Sequence, residues 1–286
     1  MTLTPVIGFE LSTTGKLPSL RGNGARGLEV NVTLKDKRIL VVGASSGIGR
    51  AVAVQSAEAG ARVVLAARRL DRLQESVRAA GPHTHALACD VRDAASCEAA
   101  VGGAVRLLGG LDLLVYATAI DPLVRLIEAD ASLWQAVLST NVIGASLVCR
   151  AAIPHLRAAR GRAVFISASS VGRPLPGMGP YETSKAALDE LVRAWHGEHP
   201  EVGFSNVAVG QTLGTEVWTS WDPELMMELT ALWADRGYSF DNGPGAMSVE
   251  DAAAAVIAVM AARADLRYVV ALPPAGSTMP GLEGVG

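Results

Sequence analysis

Tyr181 and Lys185, four residues apart, are the side chains in this sequence best suited to transferring a proton. On a helix, residues i and i+4 share a face, so the phenol and the ammonium point the same way. A free phenol has a pKa of about 10, and a neighbouring ammonium favours the phenolate and lowers that value. The pair therefore predicts general acid–base chemistry at neutral pH. The alternative is an aromatic residue and a surface lysine that share a helix by chance.

A glycine-rich turn lies between a short apolar run, residues 39–42, and a helical pattern that ends before Gly60. The glycines are spaced G-x-x-x-G-x-G, which lets the backbone approach a pyrophosphate closely, and a helix N-terminus offers N–H groups to it. The alternative is a tight strand-to-helix turn without a ligand. Because both the strand and the helix are present, we expect a dinucleotide site at Gly43, Ser45, Ser46, Gly47, Ile48 and Gly49.

Short apolar runs alternate with helical patterns from residue 34 to residue 272. This alternation predicts an α/β fold, a doubly wound (Rossmann) parallel sheet of about seven strands with helices on both faces. We expect a single domain over residues 34–286. Residues 1–33 show no clear period and are predicted to be an N-terminal extension, either flexible or packed on the body as a small edge structure.

The composition excludes several classes of protein. Of the 286 residues, 50% are hydrophobic and 19% are charged, and the net charge is −3, so we expect a globular protein without a nucleic-acid partner. Apolar stretches are short or interrupted and no secretory signal opens the chain, which predicts no membrane span. The odd number of cysteines and the absence of metal-ligand spacing predict buried thiols, no metal and a reducing, cytoplasmic location.

Together these motifs resemble the short-chain dehydrogenase/reductase family over roughly residues 34–272. The resemblance implies a Rossmann-fold NAD(P)-dependent oxidoreductase in which Tyr181 handles the proton and Lys185 also holds the nicotinamide ribose. It implies that Ser169, twelve residues before Tyr181, bonds the substrate carbonyl, with Ser170 as the alternative. It also implies that Asn141 distorts its helix and holds a water of the proton relay.

The second strand ends at Ala67, where an acidic residue would select NAD. Arg68 and Arg69 follow, and a guanidinium there can pair with a 2′-phosphate, so we expect NADP(H) rather than NAD(H). The alternative is two solvated residues that open the next helix. The resemblance adds further cofactor contacts at Asp90, Val91, Ala117 and Thr215. By itself, an aspartate such as Asp90 is more often a helix cap.

The sequence departs from the family pattern in three places. Val42 replaces the usual threonine before the first glycine, and Gly210-Gln211 replaces the usual Pro-Gly after the sixth strand. The fourth strand ends in Tyr116-Ala117-Thr118-Ala119 instead of Asn-Asn-Ala-Gly. We expect the lost asparagine to remove a contact that braces the strands and Ala119 to narrow the cleft. These changes predict an atypical member with an unusual substrate.

Residues 216–247 contain three of the five tryptophans and have Gly and Pro on both sides of one short helix. We expect an apolar lid with substrate contacts at Trp218, Trp221 and Met226, over a small apolar carbonyl or alcohol substrate. The alternative is that these side chains only pack the helix onto the body or a neighbouring subunit. Apolar helices over residues 134–159 and 188–195 further predict a homo-oligomer, a dimer or tetramer.

Two other functions use the same motifs. One is an NADP-sensing binding protein without turnover, which does not need Tyr181, Lys185, Ser169 and Asn141 to be intact. The other is an epimerase or dehydratase, whose larger C-terminal substrate domain is not matched by the residues after Val209.

Overall fold

The computed structural model describes residues 33–216, 220–236 and 245–274. All of the predicted N-terminal extension except Thr33 lies outside the described residues. Trp218 also lies outside them, together with residues 217, 219 and 237–244 of the predicted lid.

Parallel strands form the centre of the molecule. Their bounds are β1 Arg38–Val42, β2 Arg62–Ala67, β3 Thr84–Ala88, β4 Leu113–Tyr116, β5 Arg162–Ala168, β6 Gly203–Val209 and β7 Tyr268–Ala271. Within the described residues they form one seven-stranded sheet in the order β3-β2-β1-β4-β5-β6-β7. Every pairing is parallel, and β1 pairs with both β2 and β4. The chain therefore reverses its direction of travel across the sheet beside β1, where doubly wound folds bind their ligands.

Helices cover both faces of this sheet. Their bounds are α1 Gly47–Glu58, α2 Leu70–Ala80, α3 Ala94–Leu108, α4 Ala131–Leu138, α5 Gly144–Ala159, α6 Gly179–Glu198, α7 Pro223–Asp235 and α8 Val249–Ala261. Side chains of α3, α5 and α6 form one buried cluster with one face of the sheet. Side chains of α1, α2 and α8 form a second cluster on the opposite face. This confirms the predicted doubly wound Rossmann architecture.

The apolar segment predicted as one long helix or two joined helices is interrupted. A π-helical turn, Ser139–Ile143, separates α4 from α5 and contains Asn141. Such turns often mark functional sites because they add one residue to the helix and redirect the backbone. By length and composition, residues 131–159 could cross a membrane, but half of the apolar window is buried inside the protein. These helices are core elements of the fold.

Candidate active site

Helix α6 positions the predicted proton-transfer pair. Tyr181 and Lys185 lie one turn apart, and Lys185 Nζ is 5.6 Å from the centroid of the Tyr181 ring. The ammonium donates a hydrogen bond of 2.7 Å to the carbonyl oxygen of Ile166 on β5. This bond ties the buried lysine to the carboxyl-terminal end of the sheet. The structure thus places the phenol and the ammonium side by side, as the i, i+4 spacing predicts.

Buried carboxyl groups surround this pair, which the sequence analysis did not anticipate. Asp121, Glu182 and Asp189 are each less than 10% exposed. Burial lowers the pKa of Lys185 to about 8, and the three carboxyl groups oppose that shift. The only signal in the sequence is that Glu182 and Asp189 stand three residues before and four after Lys185, on the same helix face.

The pKa of Tyr181 moves in the direction opposite to the one expected from Lys185 alone. Burial raises the pKa of the phenol well above 10, and the nearby Asp121 and Glu182 raise it further. Desolvation disfavours the phenolate and is the largest of these effects on the pKa. Tyr181 is therefore a protonated phenol at neutral pH, which is the form that can donate a proton.

Asn141 links the π-helical turn to α6. Its Oδ1 accepts a bond from the Ile120 N–H, and its Nδ2 donates to the Ile120 carbonyl oxygen and to Ser184 Oγ, each at 2.9 Å. Ser184 Oγ in turn donates to the carbonyl oxygen of Tyr181 at 2.6 Å. Asn141 therefore lies in the distorted helix that the resemblance implies, and its side chain connects it to the residue beside Lys185. The role of Ser184 was missed, although it stands inside the Tyr-x-x-x-Lys motif.

Ser169 lies just beyond the end of β5. Its N–H donates to the carbonyl oxygen of Val209 at 3.1 Å, which continues the pairing with β6. Side chains alternate along a strand, so Ser169 is expected on the same side as Phe165 and Ser167. Phe165 belongs to the core cluster that includes α6 residues. Beyond Ala168 the chain turns, and a hydrogen bond with Ser170 lowers the pKa of Glu182, the neighbour of Tyr181 on α6. Both Ser169 and the alternative Ser170 therefore remain candidates for the substrate contact.

The glycine-rich turn is shaped for close backbone approach. Gly43 has φ +93°, and a Cβ there would lie 2.8 Å from the carbonyl carbon of Ala117. A Cβ on Gly49 would lie 3.0 Å from the Ala117 side chain. Gly47 has φ +54°, and a Cβ there would lie 3.7 Å from Thr215. The structure therefore brings the loop, Ala117 and Thr215 together around the N-terminus of α1, where a dinucleotide phosphate fits.

Cationic and hydroxyl groups converge beside this loop. Arg69 Nη2 lies 3.3 Å from Ser45 Oγ and 3.5 Å from Ser46 Oγ. The same Nη2 atom is 2.6 Å from Glu216 Oε2, and Arg72 forms an ion pair with Glu216 Oε1. Two guanidinium groups on one carboxylate, with two hydroxyls beside Arg69, are a donor set that also suits a phosphate monoester. The residues present thus fit a 2′-phosphorylated dinucleotide.

The described contacts add Arg72 to the two arginines that the sequence analysis named. Arg72 accompanies Arg69 from one helical turn away on α2. Arg68 lies near Asp90, another predicted cofactor contact, whose carboxylate is held by Arg92. Hydrogen bonds from Arg92 lower the pKa of Asp90 to about 2. The i, i+3 spacing of Arg69 and Arg72 was the available signal for this pairing.

The predicted adenine contacts lie at the end of β3. Val91 is 4% exposed and packs in the core next to Gly144, where an added Cβ would lie 2.9 Å from Val91 Cβ. The side chain of Val91 therefore belongs to the core. The predicted adenine contacts are left to the backbone of Val91 and to Asp90.

The departure at the fourth strand does not leave that strand unbraced. Tyr116 is buried, and its hydroxyl donates to the carbonyl oxygen of Thr140 in the π-helical turn at 2.5 Å. This bond joins β4 to the turn that contains Asn141. We expected the lost asparagine to leave the fourth strand without a bracing contact. The hydrogen bond of Tyr116 supplies a different bracing contact in its place.

Helix α7 packs on the loops next to Tyr181. Trp221, Leu229 and Trp233 form a buried apolar cluster with Leu175 and Met178, and Tyr181 and Met226 pack against it. Trp221 Nε1 donates to the carbonyl oxygen of Asp121 at 2.7 Å. Trp221 and Tyr181 thus meet in one cluster, on which Met226 also packs, and Trp221 holds the segment to the body.

Further contacts fasten α7 along its length. Trp233 Nε1 donates to the carbonyl oxygen of Pro176 at 2.9 Å, and Glu228 forms an ion pair with Arg125. Gly177 has φ +88°, and a Cβ there would clash with Leu229. The helix therefore lies closed over the loop that leads to Tyr181.

Comparison with known proteins identifies the family. The profile of the short chain dehydrogenase family matches residues 37–225. The chain therefore belongs to this family. Tyr181, Lys185 and the glycine-rich turn all fall within the matched residues.

Similar curated proteins include a "Dehydrogenase/reductase SDR family member 4" of Sus scrofa, 36% identical over 173 residues. An "11-beta-hydroxysteroid dehydrogenase A" of Sesamum indicum is 36% identical over 180 residues. The matched stretches cover 58% and 61% of this chain and 62% and 52% of the two relatives. The chain thus spans less than two thirds of the length of these proteins.

Solved structures of similar shape cover nearly the whole domain. A dehydrogenase/reductase from Sinorhizobium meliloti has a TM-score of 0.74 at 26% identity, over 85% of this chain and 96% of the other. An alcohol dehydrogenase from Thermococcus sibiricus, complexed with 5-hydroxy-NADP, has a TM-score of 0.71 at 24% identity, over 85% and 98%. The fold is therefore shared beyond the region of sequence similarity.

Proposed function

We propose that the chain is an NADP(H)-dependent oxidoreductase that interconverts a carbonyl and an alcohol on a small apolar molecule. The observation that carries this proposal is the placement of two groups of residues at the same end of the sheet. Ser45, Ser46, Arg69 and Arg72 lie beside the glycine-rich turn. Tyr181 and Lys185 lie at the end of β5 and under the apolar cluster of α7.

The cofactor preference rests on charge. Ala67 offers no carboxylate to the adenosine ribose, whereas Arg69 and Arg72 both bind a carboxylate through their guanidinium groups. Arginine forms strong charge-assisted bonds with phosphate oxygens for the same reason. When bound, NADP(H) supplies or accepts the hydride.

The remaining steps belong to the side chains of this chain. Tyr181, protonated because it is buried, donates a proton to the carbonyl oxygen in the direction of reduction. Ser169 orients that oxygen by a hydrogen bond. Lys185 keeps its ammonium next to the phenol and can donate further N–H bonds to the ribose hydroxyls. Asn141 holds the π-helical turn, and this turn binds the water of the proton relay.

The substrate class follows from the cover of the site. The cluster that packs against Tyr181 is formed by Leu, Met and Trp side chains. Such a lining desolvates an apolar ring or chain. The steroid named for the sesame relative is a substrate of this apolar kind. We therefore infer apolar or alicyclic ketones, aldehydes and alcohols as substrates.

A binding protein without turnover is the second candidate. The observation in its favour is that α7 is packed down next to Tyr181 through both tryptophan hydrogen bonds. This candidate predicts tight cofactor binding and no hydride transfer with any carbonyl compound.

One experiment separates the two candidates. Purified protein is mixed with NADPH, or NADP, and a panel of ketones, aldehydes and alcohols, and the nicotinamide absorbance is followed. Substrate-dependent turnover with apolar compounds supports the oxidoreductase. Cofactor binding seen by calorimetry without turnover on any compound supports the sensor.

Assembly and location complete the proposal. We infer a homo-oligomer, a dimer or tetramer, because family members often assemble and Ile143, the last residue of the π-helical turn, is apolar and 51% exposed. We infer a cytoplasmic location from the three buried free cysteines, since thiols persist in reducing compartments.

A further inference from the structure

The carboxylate of Glu216 occupies the centre of the group of residues that suits a 2′-phosphate. One oxygen is 2.6 Å from Arg69 Nη2, and the other forms an ion pair with Arg72. Arg69 Nη2 is also next to the hydroxyls of Ser45 and Ser46. A negatively charged group of the chain itself therefore sits where the proposed cofactor would place its own negative charge.

These contacts are ones that a ligand can replace. The side chains of Glu216, Arg69 and Arg72 are 39%, 42% and 47% exposed, so water and ions reach them. Exposed ion pairs each contribute little free energy. A phosphate monoester carries roughly twice the charge of a carboxylate and has more acceptor oxygens. It should therefore displace Glu216 from the two arginines, but only after losing part of its binding energy to the competition.

The position of Glu216 in the chain makes it more than an isolated surface residue. It follows Thr215, which lies opposite Gly47 of the phosphate loop. It lies 147 residues from Arg69 and 144 from Arg72 along the sequence, so the ion pairs connect two distant segments across the mouth of the site. A carboxylate at this place can also accept a hydrogen bond from a ribose hydroxyl. An acidic residue at the end of β2 would accept that bond, but Ala67 cannot.

We propose that Glu216 is a specificity-determining residue that competes with the 2′-phosphate for Arg69 and Arg72 and thereby narrows the preference for NADP(H) over NAD(H). This inference rests on the proposed dinucleotide site and deepens it. In the absence of a 2′-phosphate, Glu216 pairs with both guanidinium groups and leaves its carboxylate able to accept a hydrogen bond from a ribose hydroxyl. When a 2′-phosphate binds, the Glu216 carboxylate has to move away from the two guanidinium groups.

Calorimetric titration of the full chain with two nucleotide fragments, 2′,5′-ADP and 5′-AMP, tests this without using catalysis. For Glu216→Gln we expect 2′,5′-ADP to bind about three- to tenfold more tightly, because one competing charge with two exposed ion pairs is removed. We expect 5′-AMP to bind equally or more weakly. The control is Glu224→Gln in the first turn of α7, which changes the net charge equally.

The outcomes separate this inference from the proposed cofactor preference. The proposed competition is refuted if Glu216→Gln binds 2′,5′-ADP with unchanged affinity. It is also refuted if Glu216→Gln binds both fragments equally more tightly, or if Glu224→Gln shows the same gain. If the wild-type protein binds the two fragments equally but Glu216→Gln prefers 2′,5′-ADP, the competition holds and the NADP(H) preference of the native protein fails. If the wild-type protein strongly prefers 2′,5′-ADP and Glu216→Gln leaves that preference unchanged, the NADP(H) preference holds and the competition by Glu216 fails.

Discussion

Asn141 and Ile120 exchange two hydrogen bonds: the Ile120 N–H donates to Asn141 Oδ1 and Asn141 Nδ2 donates to the Ile120 carbonyl oxygen, both at 2.9 Å. A side-chain amide thus pairs with the backbone beyond β4 much as a neighbouring strand would. Its third bond, to Ser184 Oγ, reaches α6. One buried residue therefore joins the sheet, the π-helical turn and the helix that carries Tyr181.

Replacing Asn141 with alanine should destabilise the protein by about 2–4 kcal/mol, because the buried groups of Ile120 and Ser184 lose their partner. Denaturant unfolding followed by circular dichroism measures this change. Asn141→Asp is the matched control, since it keeps the acceptor but not the two N–H donors. We expect its loss of unfolding free energy to be no larger than that of Asn141→Ala. Alanine at this position with wild-type stability would contradict the bracing role.

Tyr181→Phe should lower turnover by about 10²- to 10⁴-fold, the usual contribution of a general acid or base, because only the hydroxyl is removed. Binding of NADPH, measured by calorimetry, should stay within a factor of about two since the ring remains in place. A variant that retains more than about a tenth of the wild-type rate shows that another group handles the proton.

The arginine positions make a matched set of variants. Arg69→Ala and Arg72→Ala should each weaken NADPH binding by about ten- to hundredfold, the loss of one charge-assisted interaction, and leave NADH binding nearly unchanged. Arg78→Ala is the control, because Arg78 is exposed in the last turn of α2, at the opposite end of that helix from Arg69. Equal losses for NADPH and NADH, or a similar loss in Arg78→Ala, would show that the phosphate is bound elsewhere. Ala67→Asp should shift the preference toward NAD(H).

Trp221 and Trp233 offer a similar comparison for the predicted lid. Each is buried and donates its indole N–H to a backbone carbonyl, but the acceptor of Trp221 is Asp121, one of the carboxyl residues beside Lys185. Trp221→Ala should raise KM for apolar ketones more than for short polar aldehydes, and Trp233→Ala should do so less. Trp218→Ala tests the other predicted contact. Equal effects on both substrate types, or a small acid or sugar as the best substrate, would refute an apolar lid.

The rate of reduction should fall as the pH rises through about 8, because Lys185 has a pKa of about 8 and is charged only below it. The phenol remains protonated in that range, since burial raises the pKa of Tyr181 well above 10. Asp121→Asn removes a carboxyl that raises the pKa of Lys185, so the midpoint should move to lower pH. Glu190→Gln, an exposed change on α6, should leave it unchanged. A midpoint that Asp121→Asn does not move would assign the pH dependence to another group.

The sequence predicted the sheet well because its signals are local. Apolar runs locate each strand, and Gly60 and Gly109 mark helix ends through positive φ angles. The proton-transfer pair was found in the same way, since Tyr181 and Lys185 lie one helical turn apart. The bond between Asn141 and Ile120, in contrast, joins residues of different elements, and only the resemblance pointed to that asparagine.

Contacts between distant segments account for what was missed. Glu216 meets Arg69 and Arg72 across more than 140 residues of sequence, and nothing in the local pattern connects them. The carboxyl of Asp121 approaches Lys185 from the loop after β4, so its effect on the pKa of the lysine depends on tertiary packing. Such charges are visible only once the elements are assembled.

Tyr116 imposes a condition on how this chain can change over time. A Cβ on Gly144 would lie 2.8 Å from the Tyr116 hydroxyl and 2.9 Å from Val91 Cβ, so the missing side chain at the start of α5 makes room for both residues. Mutating Gly144 alone overfills the space, and shortening Tyr116 alone leaves a hole and an unpaired carbonyl at Thr140. A chain that shortens residue 116 alone therefore loses stability, and Val91 keeps position 144 closed to a side chain whatever residue stands at 116.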